Sequence, residues 1–152
     1  MKLIQSGSFY IGGRDKWLRP TFIMDATIIA QLAKNDPGTM SPQNFVEAFL
    51  FMFEYCKKVI LLPGHVEQWV TIADFGNIAM NKLPKDEIMA FGKLCQANIM
   101  FYLHKSFYVH VGWGQRLAYK AAKLFIDPRV QAKISLNGEK DPVALLDLYH
   151  PS

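Results

Sequence analysis

The sequence of 152 residues has few charged residues, and its longest apolar segment is interrupted. Charged residues make up only 20% of the chain and apolar residues 51%, which excludes a disordered chain and predicts a well-packed core. Glu54, Lys57 and Lys58 break the longest apolar segment, so no stretch reaches the roughly 18 apolar residues of a membrane-spanning helix. The first twenty residues also lack the compact apolar region of a secretory signal.

Cysteine is scarce as well. Cys56 and Cys95 lie in helix-like segments and match no metal spacing, which indicates reduced thiols and a cytoplasmic, reducing compartment. An excess of basic over acidic residues in the first twenty positions leaves a mitochondrial location as an alternative. The four histidines have no zinc-site spacing, so we expect neither a metal nor a cofactor.

Signatures of catalysis and of nucleotide binding are incomplete. Residues 74–76 spell the Asp-Phe-Gly metal-binding tripeptide of protein kinases, but the phosphate loop, lysine and His-Arg-Asp motif that accompany it are missing. Gly112-x-Gly114 lies where a dinucleotide loop would be, but Leu117 occupies the third glycine position. A net charge of +4, without dense Lys/Arg runs, argues against nucleic-acid binding. The sequence therefore predicts a protein that is not an enzyme.

Strand-like and helical segments alternate along the chain, which predicts a single α/β domain over residues 1–152. Strands are predicted at "RPTFIMDA", "VEQWVTIADFG", "SFYVHV" and "KISL". Helices are predicted from Pro42, with Ser41 as N-cap, to about Leu61, and at "NKLPKDEIMAFGKLCQANIMFYL" and "VALLDLYH". The alternation predicts a mixed, mostly parallel sheet of about four or five strands with crossover helices.

The segment from residue 114 to 126 is predicted to be an amphipathic helix. Its basic stripe has the spacing i, i+4, i+7 and consists of Arg116, Lys120 and Lys123. Its apolar stripe lies one position further on and consists of Leu117, Ala121, Leu124 and Phe125. Asp127 is placed to cap the next helix and Pro128 to be its first residue, so a sharp joint follows the amphipathic helix.

The segment "KLFIDPRVQAKI" resembles the most recognisable part of the CRAL-TRIO domain family of lipid-exchange proteins. The shared features are a lysine, an aromatic residue, Asp-Pro and a Lys-Ile pair, here Lys123, Phe125, Asp127-Pro128 and Lys133-Ile134. Earlier in the chain, Arg19-Pro20 is similar to a Gly-Arg-Pro motif of the family, with Leu18 in place of the glycine. "VTIADFGNIAMNKLP" and "FYVHVGW" are similar to later segments of the family, and the resemblance extends over about residues 8 to 150.

This resemblance implies a floor of strands beneath an amphipathic gate helix, which together enclose an apolar ligand. The gate would be the helix of residues 114–126, hinged at Asp127-Pro128, with the apolar stripe on its underside. In phosphoinositide-binding members a lysine four residues before the Asp-Pro contacts the inositol phosphate, and that position is Lys123 here. Lys120 and Arg116 continue the same cationic edge, which could also dock on an anionic membrane surface.

Two functions remain open. The first is binding of a lipid or another small lipophilic ligand in an apolar pocket. The second is a scaffold without cargo that serves as accessory subunit of a larger protein assembly, because the chain begins almost at the first strand and lacks the family's N-terminal helical lobe. It also departs from the family at the acid expected opposite the gate lysine, where Ala90 stands with Glu87 one turn earlier.

Overall fold

A computed structural model describes residues 2–76, 78–99, 101–137 and Tyr149. Its centre is a five-stranded sheet in which the strands lie in chain order. The strands are β1 (Phe9–Arg14), β2 (Pro20–Asp25), β3 (Trp69–Asp74), β4 (Leu103–Val109) and β5 (Ile134–Leu136). The strand β1 is antiparallel to β2, and all later neighbours are parallel. This arrangement confirms the predicted mixed, mostly parallel sheet.

Helices connect these strands. They are α1 (Lys2–Gln5), α2 (Ala26–Asn35), α3 (Pro42–Tyr55), α4 (Lys85–Asn98), α5 (Trp113–Ala122) and α6 (Pro128–Gln131). The predicted start of α3 is confirmed, since the Ser41 hydroxyl accepts from the Asn44 amide and Pro42 is the first helical residue. The helix continues as a π-helical turn over Cys56–Ile60. The predicted last helix lies outside the described residues, apart from Tyr149.

One face of the sheet packs against α3 through aromatic side chains. Trp69 of β3 is buried and stacks on Phe53 and Tyr102 at ring-centroid distances of 5.2 and 5.4 Å. Phe22 of β2 meets Trp69 edge-on at 5.3 Å. Such ring pairs stabilise a core beyond the area that they bury. This face therefore holds the larger hydrophobic core.

The opposite face of the sheet has a smaller cluster. Val70 and Phe107 are buried there, and Ile72 and Val109 pack against them. Because side chains alternate along a strand, β3 places Trp69 in one cluster and Val70 in the other. The predicted strand at this segment is therefore a central strand with apolar side chains on both faces.

Three elements were not predicted, namely the helix α1, the strand β1 and the helix α2. The strand β1 precedes "RPTFIMDA", which is therefore the second strand and not the first. Its burial does not alternate, and a register shift lies between Ile11 and Arg14, so it has no clear period of two. The helix α2 follows β2 directly, and the Asp25 carboxylate caps it by accepting from the amides of Thr27 and Ile28 at 2.8 and 3.1 Å.

Candidate functional site

The predicted gate helix occupies the expected place between β4 and β5. It begins at Trp113, ends as an α-helix at Ala122 and continues as a 3-10 turn over Lys123–Phe125. The Gln115 side chain is buried and donates to the carbonyl of Ile78, which fixes the start of α5 to the loop after β3. None of the described helices is long and apolar enough to cross a bilayer.

The basic stripe of α5 faces solvent. Arg116, Lys120 and Lys123 are exposed, and none of them makes an ion pair with another described residue. In particular, Glu87, one turn before Ala90 on α4, does not pair with Lys123 across the described structure. Cations without acidic partners in one row are suited to bind an anion.

The apolar stripe also faces solvent, which differs from the expectation that it forms the underside of the gate. Leu117 is 60% and Leu124 is 85% exposed, and Ala121 is exposed as well. The side chain of Phe125 lies outside the described part of the structure. Periodicity established that these residues share a face, but the buried Gln115 and the half-buried Tyr119 lie on the side that is turned toward the sheet.

The joint after the gate helix is formed as predicted. The Asp127 carboxylate accepts from the Arg129 amide at 2.8 Å, and Pro128 is the first residue of α6. Hydrogen bonds from the Arg129 side chain and amide lower the pKa of Asp127 to about 2. Gln131 donates to the carbonyls of Lys123 and Ile126 at 2.8 and 2.7 Å, which ties α6 to the end of the gate.

Three weakly polar groups from three different elements lie near one another. Tyr108 lies on β4, Tyr119 on α5 and Cys95 on α4. Burial, together with the nearby Cys95 and Tyr119, raises the pKa of Tyr108 to about 12, although a hydrogen bond with Ser106 acts in the opposite direction. Burial also raises the pKa of Cys95 above its usual range. Such an environment disfavours charge and suits apolar groups better than ionised catalytic ones.

A polar pair lies at the carboxyl ends of β3 and β4, beside the start of α5. The Nδ1 atom of His110 is 2.7 Å from Oδ1 of Asp74, which also accepts from the Gly76 amide at 2.8 Å. From the sequence, Asp74 was considered only as part of the Asp-Phe-Gly tripeptide and His110 only as one of four histidines without zinc-site spacing. The signal that could have found them is position, because the carboxyl ends of neighbouring parallel strands meet at one edge of the sheet.

Two open grooves lie away from the gate helix. One, of about 390 Å³, lies between α1 and α3 and includes Leu3, Ala48 and Phe51. The other, of about 500 Å³, includes His65 and Phe101. Neither of these grooves includes a residue of α5, so neither corresponds to the pocket that was predicted beneath the gate.

The model of the CRAL/TRIO domain family matches residues 4–152. Two proteins of Arabidopsis thaliana, the phosphatidylinositol/phosphatidylcholine transfer proteins SFH12 and SFH9, are 29% identical over 149 residues and 27% identical over 153 residues. Each alignment covers 92% of this chain, but only 27% and 25% of the respective relative. The chain thus spans about a quarter of the length of these curated relatives.

A solved structure agrees with the fold. The crystal structure of Sfh5 superposes with a TM-score of 0.70 over 95% of this chain and 51% of that one, at 14% sequence identity. At this identity the likeness shows that the fold is shared.

Proposed function

Because the chain belongs to the CRAL/TRIO domain family, we propose that it binds a lipid or another small lipophilic ligand without catalysing a reaction. The ligand lies between α5 and the sheet. The observation that carries the proposal concerns the two sides of α5. Its half-buried side carries Tyr119, which lies near Tyr108 of β4, and its exposed side carries the basic stripe. The relatives SFH12 and SFH9 are named for transfer of phosphatidylinositol and phosphatidylcholine, so these two lipids are the first to test.

The proposed headgroup contacts are Lys123, Lys120 and Arg116. Their support is that all three are exposed and lack an acidic partner among the described residues. The flexible stem and three donors of a lysine suit a phosphate oxygen approached from several directions. A lipid phosphate at this place would gain charge-assisted hydrogen bonds, which are roughly twice as strong as neutral ones.

Gate movement supplies the entry route in this proposal. The Asp127-Pro128 joint is the hinge about which α5 swings. The exposed Leu117 and Leu124 and the basic stripe then contact an anionic bilayer together. Each Lys or Arg near such a surface contributes about 1 kcal/mol.

A scaffold without cargo is the second candidate function. It is favoured by the same exposed apolar residues, Trp113, Leu117 and Leu124, because a stable protein neighbour would cover them as well as a bilayer would. In this case the protein is an accessory subunit of a larger assembly.

We also propose a reducing compartment, either the cytoplasm or the mitochondrion. Cys56 and Cys95 are both free thiols. Burial raises the pKa of Cys56 to about 11, which keeps it protonated and unreactive. Localisation of a fluorescent fusion in cells tests this assignment.

The test of function is the content of the native protein. The protein is purified from its natural source, extracted with organic solvent and analysed by mass spectrometry. A stoichiometric lipid supports the carrier. Absence of lipid, together with stoichiometric protein partners, contradicts the carrier and supports the subunit.

A further inference from the structure

The turn between β1 and β2 displays two large apolar side chains. Trp17 is 53% and Leu18 is 57% exposed. The buried carboxylate of Asp15 holds this turn by accepting from the amides of Trp17 and Arg19, both at 2.9 Å, and from Arg19 Nε at 2.7 Å. We refer to residues 14–19 as the hairpin tip. The hydrogen bonds of Asp15 fix the backbone of the tip, so Trp17 and Leu18 are exposed on a well-defined turn.

Leu18 adopts a strained backbone conformation. Its φ of +64° lies in the left-handed region, where leucine is disfavoured and glycine is not. Strained residues persist where the surrounding structure holds them and concentrate at functional sites. Since the Leu18 side chain is exposed, packing within the described structure does not account for a leucine here. A contact outside the molecule would account for it.

The charge around these side chains is positive. Lys16 Nζ and the guanidinium carbon of Arg19 each lie 4.5 Å from the centroid of the Trp17 ring. Arg14 donates to the carbonyls of Leu18 at 2.6 Å and Ile60 at 2.8 Å, which brings a third cation to the tip. Asp15 is buried and balances the charge of Arg19, whose side chain is only 13% exposed, so the outward-facing charges of the tip are those of Arg14 and Lys16.

Other exposed apolar residues lie along the same edge of the sheet. Since β2 to β5 are parallel, their amino ends lie along one side of the sheet, and the residues before each strand meet there. We call this side the amino edge. Phe101, before β4, is 72% exposed and accepts through its carbonyl from Gln68, before β3, at 3.2 Å. Leu124 lies in the 3-10 turn after α5. Gln131 of α6 donates to the carbonyl of Lys123 in this turn, and α6 leads into β5 at the amino edge.

We propose that the hairpin tip is a docking surface for an anionic lipid bilayer, separate from the basic stripe of α5. Tryptophan prefers the headgroup level of a bilayer, and Lys and Arg are attracted to its negative surface. Two exposed apolar side chains are few for a stable protein interface, which buries about 800 Å² on each partner. A bilayer is a plane and can contact the tip, Phe101 and Leu124 along one edge at the same time.

This docking does not require bound cargo, so it can be tested apart from the proposed lipid binding. The 152-residue chain is sedimented with phosphatidylcholine vesicles, with and without phosphatidylserine. We expect binding only with phosphatidylserine, and a loss of binding as salt is raised. The double variant Trp17→Ala, Leu18→Gly is expected to bind about tenfold more weakly.

Two further variants separate docking from folding. Leu18→Gly alone relieves the backbone strain, so its Tm should hold or rise while vesicle binding falls. Phe51→Ala removes an exposed aromatic residue of α3, away from the amino edge, and is expected to bind vesicles like the wild type. Equal binding by the double variant and the wild type would overturn the proposal. The proposal would also be overturned if the wild type self-associates at high concentration, the double variant does not, and both bind vesicles equally. The hairpin tip would then be a contact between proteins.

Discussion

His110 and Asp74 are 36 positions apart in the chain, and their side chains are joined by a contact of 2.7 Å between Nδ1 and Oδ1. This contact connects the carboxyl ends of β3 and β4 immediately before α5 begins. His110 has a φ of +51°, which turns the chain sharply out of the sheet toward the gate helix. The pair therefore lies at the point where the chain leaves the sheet for α5.

Asp74→Ala is expected to lower the free energy of unfolding by about 1 kcal/mol, because both the His110 contact and the bond from the Gly76 amide are lost. Asp74→Asn is the matched control, since its amide oxygen can still accept from Gly76. In a urea unfolding titration, Asp74→Asn should lower the free energy of unfolding less than Asp74→Ala does. An equal loss in the two variants would show that the Gly76 bond contributes nothing.

Lys123→Ala is expected to weaken binding to phosphatidylinositol phosphate vesicles about fivefold, the effect of removing one cation near an anionic surface. Its Tm should be nearly unchanged, because the side chain is exposed. Lys34→Ala removes the same charge from an exposed position on α2 and serves as the control in vesicle sedimentation. Binding by Lys123→Ala at the level of Lys34→Ala would remove Lys123 from the proposed site.

Asp127→Ala is expected to lower the Tm by roughly 2–4 °C, because α6 loses its N-cap. Asp127→Asn keeps an oxygen that accepts from the Arg129 amide and should lower the Tm less. The stabilisation by the Asp127 carboxylate in the wild type depends on pH. The pKa of Asp127 is lowered to about 2, so its contribution is complete above the unfolded value of about 3.9 and disappears as the pH falls through about 2.

The difference between Asp127→Ala and wild type in thermal melts should therefore narrow toward pH 2. A difference that stays constant with pH would mean that the carboxylate charge is not involved in the cap.

His104 is expected to reduce stability in mild acid. Burial lowers its pKa, and the charge of Arg19 lowers it further, so the unfolded chain takes up the proton at a higher pH than the folded one does. Stability should consequently fall as the pH drops through the unfolded value of about 6.5. His104→Asn should flatten this part of the stability profile in urea titrations at several pH values. A stability profile that His104→Asn leaves unchanged would contradict this assignment.

The parts of the fold that were predictable depend on local chemistry. Ser41 and Pro42 start α3, and Asp127 and Pro128 start α6, through bonds between residues two or three positions apart. The strand β3 was located in a similar way, from consecutive apolar residues that are followed by Asp74 and Gly76. The strand β1 depends instead on pairing with β2, and no alternating pattern accompanies it.

The candidate site was predictable only in part. The stripes of α5 follow from spacing, but the side that faces the sheet depends on the burial of Gln115, a polar residue that hydropathy places outside. The contact of Asp74 with His110 requires the register of β3 against β4, which no local pattern encodes. The conformation of Leu18 likewise depends on the hydrogen bonds of its turn with Asp15.

The strands lie side by side in the order in which they occur in the chain, and this has a consequence for biogenesis. Each strand leaves the ribosome after the neighbour it needs, so the sheet can grow from one edge during synthesis and need not wait for a distant partner. The three residues of β5 join last, after α5 has been made. Until then α5 is joined to the sheet at its amino end only, so its carboxyl end is the last part of this helix to be fixed in place.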